Sequence, residues 1–158
     1  MKRPSPFLLI VLAAVALIRG ATVVAEDPVP EAPTFLVVPG DFRGALPISD
    51  AVRVGDLLFL SGKLGNQPGT RNLAPGGIKG ETRQALTNIQ ATVERWGSSM
   101  DRVVTCTVFL ADMSEWAEMN EVYVTFFPER KPARCAVGVN GLALDARVEI
   151  ECIAAVGT

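Results

Sequence analysis

Two side chains of opposite charge stand out near the end of the chain. The stretch RKPARCAVGVNGLALDARVEIECIAAV, residues 130–156, sets Arg134 at the start of one β-like run and Glu149 inside the next. Strands of a small domain usually hide apolar side chains, so these two are either solvated charges on outward faces or the lining of a site. Composition narrows the chemistry open to such a site. The chain has no histidine, which removes Ser–His and Cys–His nucleophile systems, imidazole zinc sites and the usual neutral-pH proton shuttle. Acid–base work is left to carboxylates, Lys, Tyr, Cys or water. Cys106, Cys135 and Cys152 include no C-x-x-C pair, and their odd number leaves at least one thiol unpaired. The expectation is free, partly buried thiols, with one disulfide as the alternative.

The elements that must position Arg134 and Glu149 belong to one domain, on a length of 158 residues. The start of the chain reads as a secretory leader: Lys2 and Arg3, an apolar run from Phe7 to Ile18, then Val23-Val24-Ala25 before Glu26. The run is shorter than the roughly 20 residues that cross a bilayer. Cleavage after Ala25 and export to a periplasm or medium are therefore expected, with no membrane attachment afterwards. Removing three of the 15 basic residues and none of the 17 acidic ones takes the net charge from −2 to −5. That is not the basic footprint of a nucleic-acid binder.

Residues 26–46 begin EDPVPEAP and read as a flexible N-terminal segment; the domain proper is expected over 47–158. ISDAVRV (48–54), the turn Gly55-Asp56 and LLFLSG (57–62) read as a β-hairpin. KLGNQPGTRNLAPGG (63–77) reads as a loop. Ile78, Ala85, Leu86, Ile89, Val93 and Trp96 recur at steps of three and four, which predicts a helix over 78–96 ended by Gly97. RVVTCTVFL (102–110) is β-branched and reads as a buried strand. Asp112 and Glu115 look like a capping box ahead of a second helix marked by Trp116, Met119, Tyr123 and Phe126 and stopped by Pro128. Strands follow near 133–139 and 146–155. The predicted order is ββαβαββ, an α+β fold whose right-handed crossovers put both helices on one face of the sheet. On the last strand Val148, Ile150, Cys152 and Ala154 suit the helices, while Arg147, Glu149, Glu151 and Ile153 share the other side. With one helical layer, the second face is expected to be buried against further copies of the chain.

VGDLLFLSGKLG, ETRQALTNIQATVE, VVTCTVFLADMSEWAEMNEVYVTFF and PARCAVGVNGLALDARVEIECIAAV, in this order and spacing, resemble the RidA (YjgF) family over residues 47–156. The resemblance implies a chorismate-mutase-like fold, a homotrimer with clefts between subunits, and hydrolytic deamination of 2-enamino and 2-imino acids to 2-keto acids and ammonia. It implies no metal and no organic cofactor. The family's carboxylate-binding arginine follows Pro-Ala, here Pro132-Ala133-Arg134, and a guanidinium fork suits a carboxylate because it can hold both oxygens. Its catalytic glutamate is the first acid of EIE, here Glu149, which would position a water and shuttle its proton. Gly62 in SGK matches a glycine whose backbone amide faces the ligand. Asn120 in MNEVY matches a recurrent family asparagine.

Some positions depart from the family pattern. PISDAV (47–52) puts Ile48 where PYSQAV-like members carry tyrosine, which makes the substrate pocket more apolar. SGK puts Lys63 where the family reads glutamine, and a solvated loop lysine is expected there. The family's frequent RSCV has its thiol where this chain has Ala136, counted here among the pocket positions, whereas Cys135 is expected to point away. Two rival readings go with these departures: a non-catalytic trimer binding small carboxylates through Arg134, and a thiol- or chaperone-type protein acting through its cysteines.

Overall fold

The computed structural model describes residues 32–38 and 46–157; the leader read over 1–25 lies outside the described residues. Seven strands form one sheet: β1 (Thr34–Leu36), β2 (Ala51–Val54), β3 (Leu57–Leu60), β4 (Lys63–Leu64), β5 (Val103–Leu110), β6 (Ala133–Gly138) and β7 (Val148–Ala155). The helices are α1 (Gly77–Arg95) and α2 (Trp116–Phe126). The sheet runs β1-β2-β3-β7-β5-β6, and β4 also pairs with β7. β5 and β6 are parallel, joined by α2, while β7 is antiparallel to both β3 and β5. This is the α+β architecture expected, with two strands added. β1 pairs with β2 inside the stretch read as a flexible segment, and β4 starts the stretch read as a loop.

The apolar periodicities place the core. Leu86, Ile89 and Val93 of α1 and Met119 of α2 are fully buried, against Leu58, Val108, Val148 and Ile150 of the sheet. Each such side chain contributes about 1.5–3 kcal/mol by leaving water. Gly97 takes a left-handed φ of 83° and ends α1 as read. At the start of α2 the capping box is only half made. Asp112 accepts from the Ser114 N–H at 2.8 Å, but Glu115 pairs with Arg147 instead of folding back.

The opposite face of the sheet is open, with Leu57, Phe59, Val104 and Val137 exposed. Cys106 and Cys152 are direct cross-strand partners on the helix face of β5 and β7, and they form a disulfide. The disulfide alternative therefore holds, and Cys135 is a free, exposed thiol. Lys63 overturns the expectation of a solvated lysine. Its pairing with Ile150 turns it inward, where it is 4 % exposed and its Nζ lies 2.5 Å from Asp50 Oδ1.

Candidate active site

Arg134 lies on β6, at the edge of the sheet, in register with Cys106 of β5, so its side chain rises on the helix face. α2 crosses there. Asn120 and Tyr123, three residues apart on that helix, share a face, and both meet the guanidinium. Arg134 Nη1 donates to Asn120 Oδ1 at 2.6 Å, and Arg134 Cζ stands 4.6 Å from the centre of the Tyr123 ring. Together with Val124, Phe127, Lys131 and Pro132 they line an open recess of about 420 Å³, room for a small carboxylate. Ala136, two residues along the strand, shares the face of Arg134, whereas Cys135 pairs with Thr107 on the open face.

Glu149 lies on β7 in register with Phe109, on the open face. It is half-buried, and burial first, then the charge of Glu151 two residues on, pushes its carboxyl above the ordinary carboxylate range. Gly62, between β3 and β4, presses directly on it: a Cβ at position 62 would lie 2.0 Å from Glu149 Oε1. Absence of a side chain at Gly62 is what lets the backbone approach the carboxylate. Gly62 also lines a narrow recess with Ser61, Ile48, Val37 and Val38, in which Ile48 is 51 % exposed. A Gly62→Ala variant is expected to fold, because the clash falls on the movable end of a side chain, yet to lose at least tenfold in rate by displacing the carboxylate; a thermal melt beside the activity assay separates the two effects.

The sequence-predicted residues thus fall into two groups. Arg134, Asn120 and Ala136 stand on the helix face at one edge; Glu149, Gly62 and Ile48 stand together elsewhere. Within one chain the two groups do not meet. β5 lies between β6 and β7, the registers of Arg134 and Glu149 along it are three residues apart, about 10 Å at 3.3 Å per residue, and the side chains leave opposite faces. A single copy presents the guanidinium and the carboxylate on separate walls. Tyr123 was legible in the sequence only as an apolar helical position, since nothing in the periodicity of α2 shows what lies over its ring.

Comparisons with known proteins agree with this architecture. A model of the family described as endoribonuclease L-PSP matches residues 42–156. A RutC family protein of Pyrococcus horikoshii is 46 % identical over 108 residues, 68 % of this chain and 86 % of that one. The 2-iminobutanoate/2-iminopropanoate deaminase of Mus musculus is 41 % identical over 111 residues, covering 70 % of this chain and 82 % of its own. The crystal structure of RidA from an Antarctic Psychrobacter superposes with a TM-score of 0.71 at 36 % identity, over 78 % of this chain and 99 % of that one. With its motifs, sheet order and family match all in accord, the chain belongs to the endoribonuclease L-PSP family, that of RidA and YjgF.

Proposed function

We propose that this protein hydrolyses small 2-imino acids, and the 2-enamino acids that tautomerise to them, to 2-keto acids and ammonia, at sites built between the subunits of a homotrimer. The observation that carries this reading is the half-buried Glu149 carboxylate, held against Gly62 with its proton affinity raised. A protein that only bound carboxylates would need Arg134 and no such group. The curated relatives named as imine deaminases support the same class of reaction. The exposed apolar residues of the open sheet face favour burial against further copies, which would bring one copy's Arg134 to another's Glu149.

The chemistry follows from those two groups. Arg134 holds the substrate carboxylate and so fixes C2 of the imine in place, which makes attack by a bound water effectively intramolecular. As the water oxygen bonds to C2, its proton passes to Glu149. Glu149 returns it to the nitrogen to complete the carbinolamine, then relays the hydroxyl's remaining proton to the amino group as the C–N bond breaks, so that ammonia leaves and the C2 oxygen becomes the carbonyl of a 2-keto acid. An enamine substrate first takes a proton at C3 to become the imine.

Glu149 must be ionised to accept the water's proton, so the rate falls as pH drops through its raised pKa. Glu151→Gln removes one of the two causes of that shift. The acid limb of the kcat/KM profile is therefore expected to move to lower pH in this variant, and a limb that stays put would show that Glu149 is not the group titrating.

Ile48 favours a second reading. It offers no hydroxyl where the family pattern carries tyrosine, so the trimer would bind small carboxylates without turning them over. One assay decides between the two: an amino-acid oxidase generates short-chain imino acids in place and their loss is followed, with Arg134→Ala and Glu149→Ala as controls. Acceleration lost in both variants supports the enzyme. No acceleration, with 2-keto acids still bound through Arg134, supports the binding protein. We also propose export. The Cys106–Cys152 disulfide suits an oxidising compartment, and a secreted or periplasmic product whose N-terminus is Glu26 is the expected finding; a cytosolic product with an intact N-terminus would sink it.

A further inference from the structure

Tyr123 is the chain's one tyrosine, and its surroundings are not those of a simple core filler. Its ring packs against that of Phe127, tilted, at 4.9 Å between centroids, while its face lies 4.6 Å from the guanidinium carbon of Arg134. The Trp116 ring stands farther off, at 6.0 Å from the same carbon.

We propose that Tyr123 is a positioning residue for Arg134, its ring face and the Asn120 carbonyl together holding the guanidinium so that its free N–H edge faces the recess a substrate carboxylate would enter. The inference rests on the deaminase reading above. An arginine on a long stem loses rotamer freedom when it grips a ligand, and a fork already held over a ring loses less. Attraction between a cation and the negative face of an aromatic ring adds to this, more so where water is excluded. Only one of the guanidinium's five N–H donors is committed to Asn120, which leaves an edge for a carboxylate.

The hydroxyl of Tyr123 has a different standing from the ring. It is buried with no hydrogen-bond partner among the described residues, and burial pushes its pKa to about 12, with Arg134 opposing. At neutral pH it stays protonated, and its oxygen is closed off from solvent. The ring is therefore the working part, and removing the oxygen alone leaves the arrangement intact.

Three variants of the full chain test this against 2-iminobutanoate generated in place and against 2-oxobutanoate as a binding probe. Tyr123→Leu is expected to raise KM, and the dissociation constant for 2-oxobutanoate, about tenfold with kcat changed less than twofold, because a carboxylate grip used equally in ground and transition states appears in KM alone. Tyr123→Phe should match the wild type within twofold in every parameter. The side-chain N–H resonance of Arg134, displaced by the ring in the wild type and in Tyr123→Phe, should move to its ordinary position in Tyr123→Leu. Should the leucine variant fail to assemble, Tyr123→Met, which fills the space without an aromatic face, takes its place. Wild-type KM and an unmoved Arg134 resonance in the non-aromatic variant would overturn the proposal, as would a loss of kcat in Tyr123→Phe. The resonance and the titration need no turnover. A wild type that hydrolyses nothing would thus count against the reaction, and a leucine variant binding 2-oxobutanoate as tightly as the wild type would count against the positioning role.

Discussion

Mixing two inactive variants, Arg134→Ala and Glu149→Gln, and letting their subunits re-associate should restore about one quarter of the wild-type deaminase rate. Alone, each variant loses its activity for a separate reason. Removing the guanidinium forfeits a charge-assisted grip on the carboxylate, roughly 2–5 kcal/mol, and removing the carboxylate forfeits general-base help of about 10²–10⁴-fold. The recovery comes from the sheet order. With β5 between the strands of Arg134 and Glu149, and the two side chains on opposite faces, the proposed intersubunit site takes one wall from each of two copies. In a random one-to-one mixture, half of the arginine walls and half of the glutamate walls are intact, so about one site in four has both. Re-association of the two variants in equal amounts, with the coupled assay run on the unfractionated mixture, gives the number directly. A mixture as inactive as its parents would mean that both groups act within one chain, and the intersubunit site would be lost.

Lys63→Ala should cost about 3 kcal/mol of stability and lower the melting temperature by about 10 °C, the low end for breaking a buried ion pair. The Lys63 and Asp50 side chains are 5 % and 4 % exposed, so the carboxylate left behind by the substitution has little access to water. The cost stays at that low end because Asp50 Oδ2 still accepts from Trp96 Nε1 at 3.0 Å and lies 3.7 Å from Arg95 Nη1. Asp50 and Lys63 occupy the two positions at which the family patterns PYSQAV and SGQ read glutamine, so a neutral pair has a precedent in shape. The double variant Asp50→Gln/Lys63→Gln is accordingly expected to regain most of the loss. Denaturant unfolding of the single and double variants yields the coupling energy. Additive losses would show that the two side chains do not act as a pair.

The local elements were legible in the sequence because each carries its own period. Steps of three and four residues from Ile78 to Val93 encode an apolar stripe, and α1 buries it; alternation from Val148 to Ala154 encodes a two-faced strand, and β7 has one. Pro128 and Gly97 end the helices through their own backbone preferences, which need no tertiary partner. The motifs around Arg134 and Glu149 likewise named the candidate chemistry.

Strand order and register, by contrast, arise from pairings between distant segments, and no local period records them. β7 enters the sheet between β3 and β5, which separates two charges that follow each other closely in sequence and sends them to opposite faces. β4 pairs with the same strand and so turns Lys63 inward, although its neighbours in sequence read as a polar loop. The β5–β7 register sets Cys106 beside Cys152 across 46 residues of chain. The crossover of α2 lays Tyr123 under Arg134. Sequence alone determined the fold class and the family and named candidate reactive residues, since periodicity and motif are local properties. The tertiary structure decided that Arg134 and Glu149 stand apart within a single chain, because which faces and edges come together depends on contacts that form only when the whole sheet is assembled.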